Sequence, residues 1–329
     1  MKKLLFFLPT LLVAADPCEN FDQMKEYRKI ISKRLYGERM DENAVDYTGM
    51  IQQRVETGYA DGYGSTSSEV LVPAFLAAYT GADPEKIRLD PFPGYLSIMP
   101  NWRLSIDGLT NFKALKSWMK SASITHSYRS TYNINSYTTN FDFKSDNNGI
   151  GFIRDYQNNF IPELLFNAVS ITEQLSPLAG VDVTWVNSLI TRFEMKKSRT
   201  LALSLSNNQI TESRNNEWIV GSGYRFKEVP LKFGEKAFES DLNVRIDLSV
   251  RDNKTVIRNL VQSIDLENAP EATTGQNIFK LNFTADYVLT PRFNVQLFFD
   301  RTVNKPYTSR SFLTADTNVG FSLRFALSQ

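Results

Sequence analysis

Over its last stretch this 329-residue chain alternates strictly: Val319, Phe321, Leu323, Phe325 and Leu327 are apolar, and Gly320, Ser322, Arg324 and Ala326 between them are small or charged. Successive side chains of a strand point to opposite faces, so such a segment is apolar on one side and polar on the other. The pattern recurs. Leu242, Val244, Ile246, Leu248 and Val250 interleave with Asn243, Arg245, Asp247, Ser249 and Arg251. Phe279, Leu281, Phe283, Ala285 and Tyr287 interleave with Lys280, Asn282, Thr284 and Asp286. Phe293, Val295, Leu297 and Phe299 interleave with Asn294, Gln296, Phe298 and Asp300, and Leu201, Leu203 and Leu205 with Ala202, Ser204 and Ser206. The edge strand of a soluble β-sandwich shows the same alternation, but sandwich strands usually hold ~5–6 residues. These segments approach the roughly 9–11 residues with which a tilted strand crosses a bilayer. Their polar face carries both charge signs, as a water-filled lumen would.

That pattern predicts lipid-facing side chains at Val244, Ile246, Leu248, Leu281, Phe283, Val295, Leu297, Phe321, Leu323 and Phe325. It predicts lumen-facing ones at Arg245, Asp247, Arg251, Lys280, Asp286, Asp300 and Arg324. Connection lengths give a topology, because barrels have short periplasmic turns and longer external loops. Counting back from the C-terminus, 304–316 and 252–276 are expected outside, and 289–292 and Lys197-Ser198-Arg199 are expected as tight periplasmic turns. Two stretches break the alternation: 227–240 is long where a short turn is due, and 176–180 is the reverse.

The N-terminal third differs. Residues 1–15, Met1-Lys2-Lys3 followed by an apolar run and small residues, have the form of a signal peptide with cleavage after Ala15. The same run also fits an internal segment of a longer protein. A lone Cys18 makes no internal disulfide. Within 16–99, Met24, Ile30, Ile31 and Leu35 among basic and acidic residues predict an amphipathic helix ending near Gly37. Val70–Tyr79 predicts a second, more apolar helix with Pro73 near its start, and Gly58–Ser65 reads as a loop. Strands then occupy 100–329, beginning near Asn101–Asp107. A net charge of +1 with no basic stripe argues against a nucleic-acid partner.

Several blocks resemble the C-terminal part of the SprA (Sov) family: Pro100-Asn101-Trp102-Arg103, Ser127-Tyr128-Arg129-Ser130-Thr131-Tyr132, Ser136-Tyr137-Thr138-Thr139-Asn140 and Lys197-Ser198-Arg199. Leu203 to Gln209, Arg251 to Thr255, Ala285 to Leu289 and Val70 to Tyr79 extend the resemblance over roughly residues 19–329. It implies an outer-membrane translocon of type IX secretion and gliding motility, a very large barrel that passes folded proteins outward in a Bacteroidetes-like bacterium. The partners it implies are outer-membrane lipid, secreted protein cargo and other type IX components. The chain is too short for the whole of such a barrel, so the remainder of the wall is expected as a further partner.

Enzymatic chemistry is not expected. His126 is the single histidine, and His126 and Ser127, adjacent in a strand, face opposite ways. One His and one Cys make no zinc cluster, and no cofactor is expected. Gly221-Ser222-Gly223 lies in a strand-like run and predicts a bulge or kink. Asp247, Asp286 and Asp300 read as solvated charges balanced by Arg245, Lys280 and Arg301. The resulting expectation is an all-β fold: an antiparallel transmembrane β-barrel wall of about ten strands, part of a larger barrel, preceded by a helical segment. Two alternatives stay open, a small self-closing porin or transporter and a soluble periplasmic β-rich binding module.

Overall fold

The computed structural model describes residues 17–39, 58–92, 101–111, 113–147, 149–233, 236–260, 274–290, 293–308 and 311–325. The signal-peptide-like segment 1–15 and Leu327 lie outside the described residues. Two helices, α1 (Pro17–Arg39) and α2 (Ser68–Thr80), precede nine strands. These are β1 (Trp102–Asp107), β2 (Met119–Thr139), β3 (Leu164–Trp185), β4 (Leu189–Ser204), β5 (Gln209–Phe233), β6 (Lys236–Asn259), β7 (Thr274–Thr290), β8 (Phe293–Pro306) and β9 (Thr314–Phe325). A one-turn helix, α3 (Lys113–Lys116), lies between β1 and β2. Every strand pairs antiparallel with its sequence neighbours, in the order β1 to β9. The result is one meander, and β1 and β9 do not pair with each other.

The two ends of the sheet differ in their connections. At one end β3 passes to β4 through 186–188, β5 ends at Phe233 before β6 starts at Lys236, and β7 ends at Thr290 before β8 starts at Phe293. At the other end, 140–163, 260–273 and 307–313 are long, and 205–208 is short. The β1–β2 connection, 108–118, is an eleven-residue exception at the first end, as 205–208 is at the other, so the alternation holds for most connections but not all. The stretch 227–240 is almost wholly strand, so its expected length as a connection was an artefact of irregular patterning at the Phe226/Val229 bulge. Residues 176–180 make no turn either; they are a bulge in β3, where register shifts between Leu175 and Ala179. Lys197-Ser198-Arg199, expected as a periplasmic turn, sits mid-strand in β4 with Leu175, Gln174 and Glu173 across from it. Three consecutive polar residues there imitate a turn, while pairing with β3 and β5 keeps the backbone extended.

Helix α2 is buried from Val70 to Tyr79. A helix apolar all round has no face for water and must be enclosed. It is enclosed by Phe21, Met24 and Ile31 of α1 on one side and by Val169, Ile171, Leu201, Leu203 and Ile210 of the sheet on the other. Gly81 ends it with φ 71°, the left-handed cap that glycine adopts without a Cβ clash. Helix α1 runs on to Arg39 rather than stopping near Gly37, with the pairs Lys25–Asp22 and Lys29–Glu26 along its wet side. Its Ser32 hydroxyl donates to the Tyr63 carbonyl at 2.6 Å, and Arg34 donates to the carbonyls of Pro84 and Ile87. The long β2–β3 connection is fastened to the same unit. Arg154 donates twice to the Asp61 carboxylate, at 2.9 and 2.7 Å, and the Phe160 ring lies against Gly62 where any Cβ would collide.

Candidate membrane-facing surface and polar groove

Register decides which side chains share a face. Val244 pairs with Ala285, Ile246 with Phe283, Leu248 with Leu281 and Val250 with Phe279. Across β8 and β9 the rows continue as Ala285–Leu297–Phe321 and Tyr287–Val295–Leu323, with Phe293–Phe325 below. All ten side chains expected to face lipid thus fall on one face, together with Phe193, Trp218 and Val220. Six of the ten are exposed, Leu297 at 48% and Phe321 at 72% among them, and Val244, Leu281, Phe283 and Val295 are half-buried between neighbouring strands. From Phe293 to Val303 this band covers eleven residues of β8, ten steps or ~33 Å along the strand, and about 25 Å at a tilt near 40°. Tyr224, Phe226, Tyr287, Phe293 and Phe325 gather at its short-turn end, and Trp218 and Phe279 at the other. Barrels place aromatic girdles at both interfaces in this way.

The band has a sharp upper border. The next row on the same face is Lys197, Asn216, Asp252, Asn277 and Lys305, followed by Arg199, Arg214 and Lys254. Arg301, expected among the polar-face charges, lies instead on the apolar face between Leu281 and Thr317. The offset is one residue: Arg301 follows Asp300, and period two sends neighbours apart. Leu281 therefore sits near the upper border, and Phe283 and Leu297 lie closer to the middle of the band.

Beyond that border the face becomes apolar again under α2, and a buried ionic cluster separates the two zones. Glu212, 1% exposed, takes Arg214 Nε at 2.6 Å and Arg258 Nη1 at 3.3 Å, with Arg199 Nε at 3.8 Å. Glu173 lies 3.8 Å from the same Arg199 atom and accepts from the Tyr128 hydroxyl at 3.0 Å. The helices close over these cations with aromatic rings: Arg199 is 5.5 Å from the Tyr79 ring and Arg258 5.6 Å from Phe21. Burial and the neighbouring Glu212 raise the Tyr79 phenol. Sequence reasoning passed over this cluster. Its signal was parity: Arg199 lies in register with Leu201 and Leu203, and Glu212 with Ile210.

The opposite face carries all seven expected lumen residues, Arg245, Asp247, Arg251, Lys280, Asp286, Asp300 and Arg324. A groove of about 520 Å³ lies along it, lined among others by Arg225, Arg245, Asp247, Asp286 and Asp300. Gly223 forms part of its floor, and Gly221 lines an adjoining pocket beside Asp247. Both sit in unbroken register with the two neighbouring strands, so the expected bulge is absent at 221–223. At Gly221 the role is space, since a Cβ there would meet the Asp247 carboxylate at 2.3 Å. Charges on this face pair locally: Glu217 accepts from Arg251 at 3.0 Å and Ser249 at 2.9 Å, and Glu194 engages Arg192 and Lys196. Phe298 shares the polar face and lies over Gly320. His126 and Ser127 each meet a backbone carbonyl of the β3 bulge, at Leu178 and Ser176, which gives both a structural role.

Among the described residues, no group of three or more His, Cys, Asp or Glu is placed to hold a metal ion, and neither long helix is apolar enough to cross a membrane. What the surface offers is solvation: a polar wall on one side and an apolar band on the other. No protein-family model matches the chain, and no curated protein matches it.

Proposed function

We propose that this chain is a stretch of outer-membrane barrel wall, with the polar face toward an aqueous lumen and the apolar band toward lipid, serving a protein-translocation channel of the SprA kind. The observation that carries the membrane reading is the apolar band of bilayer height, bounded by aromatic rows and exposed on a sheet whose other face is charged. A soluble module would leave that band in water, far beyond the few hundred Å² of contiguous apolar surface that monomers tolerate. Each unpaired edge N–H and C=O costs several kcal/mol in lipid. With β1 and β9 apart, closure calls for further strands. The resemblance supplies the translocation part of the proposal, and a balanced polar lining suits passage of folded cargo without adhesion.

The long-connection end is then external and the short-turn end periplasmic. Cysteine at Asn147, in the long β2–β3 connection, should react with an impermeant thiol label on intact cells. Cysteine at Asn187, in the tight β3–β4 turn, should react only after permeabilisation; the reverse pattern overturns the orientation. Closure is tested by producing the chain by itself in detergent micelles. It should remain aggregation-prone until further strands are supplied. A compact, heat-modifiable monomer with steady conductance in a planar bilayer would establish a self-closing porin instead.

A further inference from the structure

We infer that the basic border above the apolar band is a binding site for lipid whose head group carries anionic phosphate monoesters. The inference rests on the membrane-spanning reading and goes beyond it by assigning a lipid class. The cations are Lys254 on β6 and Arg301 and Lys305 on β8, all on the apolar face and all exposed. Arg301 and Lys305 are four residues apart, ~13 Å along one strand, and Lys254 is two strands away, ~10 Å laterally, level with Tyr307 and so ~20 Å further along than Arg301. Charges spread over that span suit an extended, multiply charged head group rather than a point ion.

Two observations fix the ligand's character. Among the described residues neither Arg301 nor Lys305 forms an ion pair, and Lys254 has only Asp252, at 3.8 Å. Asp252 also accepts from the Tyr307 hydroxyl at 2.6 Å, and three cations against this one carboxylate leave the patch a positive excess. Second, the patch is continuous with the apolar band: Phe299 and Val303 flank Arg301 on its own face, and Leu281 lies beside it. An arginine so placed extends its stem over apolar surface and lifts its guanidinium to the interface. A ligand that satisfies both parts must be amphipathic, with acyl chains along Phe283, Leu297 and Phe299 and an anionic head above. The platform is built. Tyr307 lies over Gly275, where a Cβ would come within 2.9 Å of the ring, and its ring centroid is 5.2 Å from Lys254 Nζ.

The test uses the full chain assembled with the further strands that close its wall, reconstituted into phosphatidylcholine vesicles with or without diphosphorylated lipid A, followed by detergent extraction and mass measurement of retained lipid. The wild-type chain should retain lipid A, and the variant K254Q/R301Q/K305Q should retain roughly tenfold less or lower. K254R/K305R, which keeps charge, should behave as wild type and so separates charge from packing. Equal retention by wild type and the triple variant would overturn the site. Displacement of the lipid by millimolar inorganic phosphate would overturn the lipid assignment in favour of a free-anion site. Failure of that closed assembly to enter vesicles of either composition would overturn the membrane reading itself, an outcome separate from either of these.

Discussion

The same face of the same strands is handled in two ways. Near the long connections, Val169, Leu201, Leu203 and Ile210 are wholly buried under α1 and α2. Some eight residues further along β5, Trp218 and Val220 are half exposed, with none of the described residues covering them. Both zones obey period two, and both are apolar. The difference lies in what covers them, and the ionic row of Arg199, Glu212 and Arg214 marks the change. A strand can therefore cross from a lipid-type surface to a protein-type core without altering its pattern.

The comparison breaks most sharply at the ionic cluster. Glu212→Ala leaves Arg199, Arg214 and Arg258 facing one another in a buried site. A loss of about 3–5 kcal/mol is expected, read as lost amide-exchange protection in Val70–Tyr79. If protection there is unchanged, the cluster does not hold the helices to the sheet. Leu297→Arg probes the other zone. Near the middle of the band it should cost roughly 2–4 kcal/mol in lipid-reconstituted unfolding, while Leu281→Arg, at the border, should cost about 0–1 kcal/mol. Equal costs would move the membrane away from the assigned band.

A third test concerns acid within the helical unit. Burial in the first turn of α2 raises the Glu69 carboxyl to about 6, against the opposing pull of Arg39. A carboxyl raised on folding stabilises fully below its unfolded value near 4.5, and that contribution is lost as pH rises toward 6. Between those limits the helical unit should weaken by about 1–2 kcal/mol. Glu69→Gln should flatten this dependence, measurable as helix protection against pH; an unchanged slope would point to another group. The smallest effect is expected on the polar face. Asn282 pairs laterally with Asp247 and Asp300, so Asn282→Arg meets two carboxylates and should change stability by under ~1 kcal/mol. A cost equal to that of Leu297→Arg would erase the distinction between the faces.

Much of the sheet was legible because its cause is local. Alternation such as Leu242 to Arg251 assigns faces by period alone, and register then aligns Ile246 with Phe283 without any distant contact. The helix at Val70–Tyr79 was equally plain, since an unbroken apolar run flanked by polar residues has one comfortable arrangement. Strand ends were less legible. Lys197-Ser198-Arg199 and 227–240 carry turn-like composition, yet the first is held extended by pairing with both β3 and β5, and the second by β5 and β6 pairing with each other.

Sequence by itself determined that this chain makes long amphipathic antiparallel strands, because side-chain direction in a strand follows from backbone geometry. Tertiary structure decided where those strands stop facing solvent or lipid and start facing protein. Whether Arg199 and Glu212 are solvated or buried depends on α1 and α2, more than a hundred residues earlier in the chain. Arg301 shows the same division on a smaller scale. Its parity was fixed by its position after Asp300, but its setting among Leu281, Phe299 and Val303 required the pairing of β7 with β8. Local geometry orients a side chain; only the partners brought by the fold determine its surroundings.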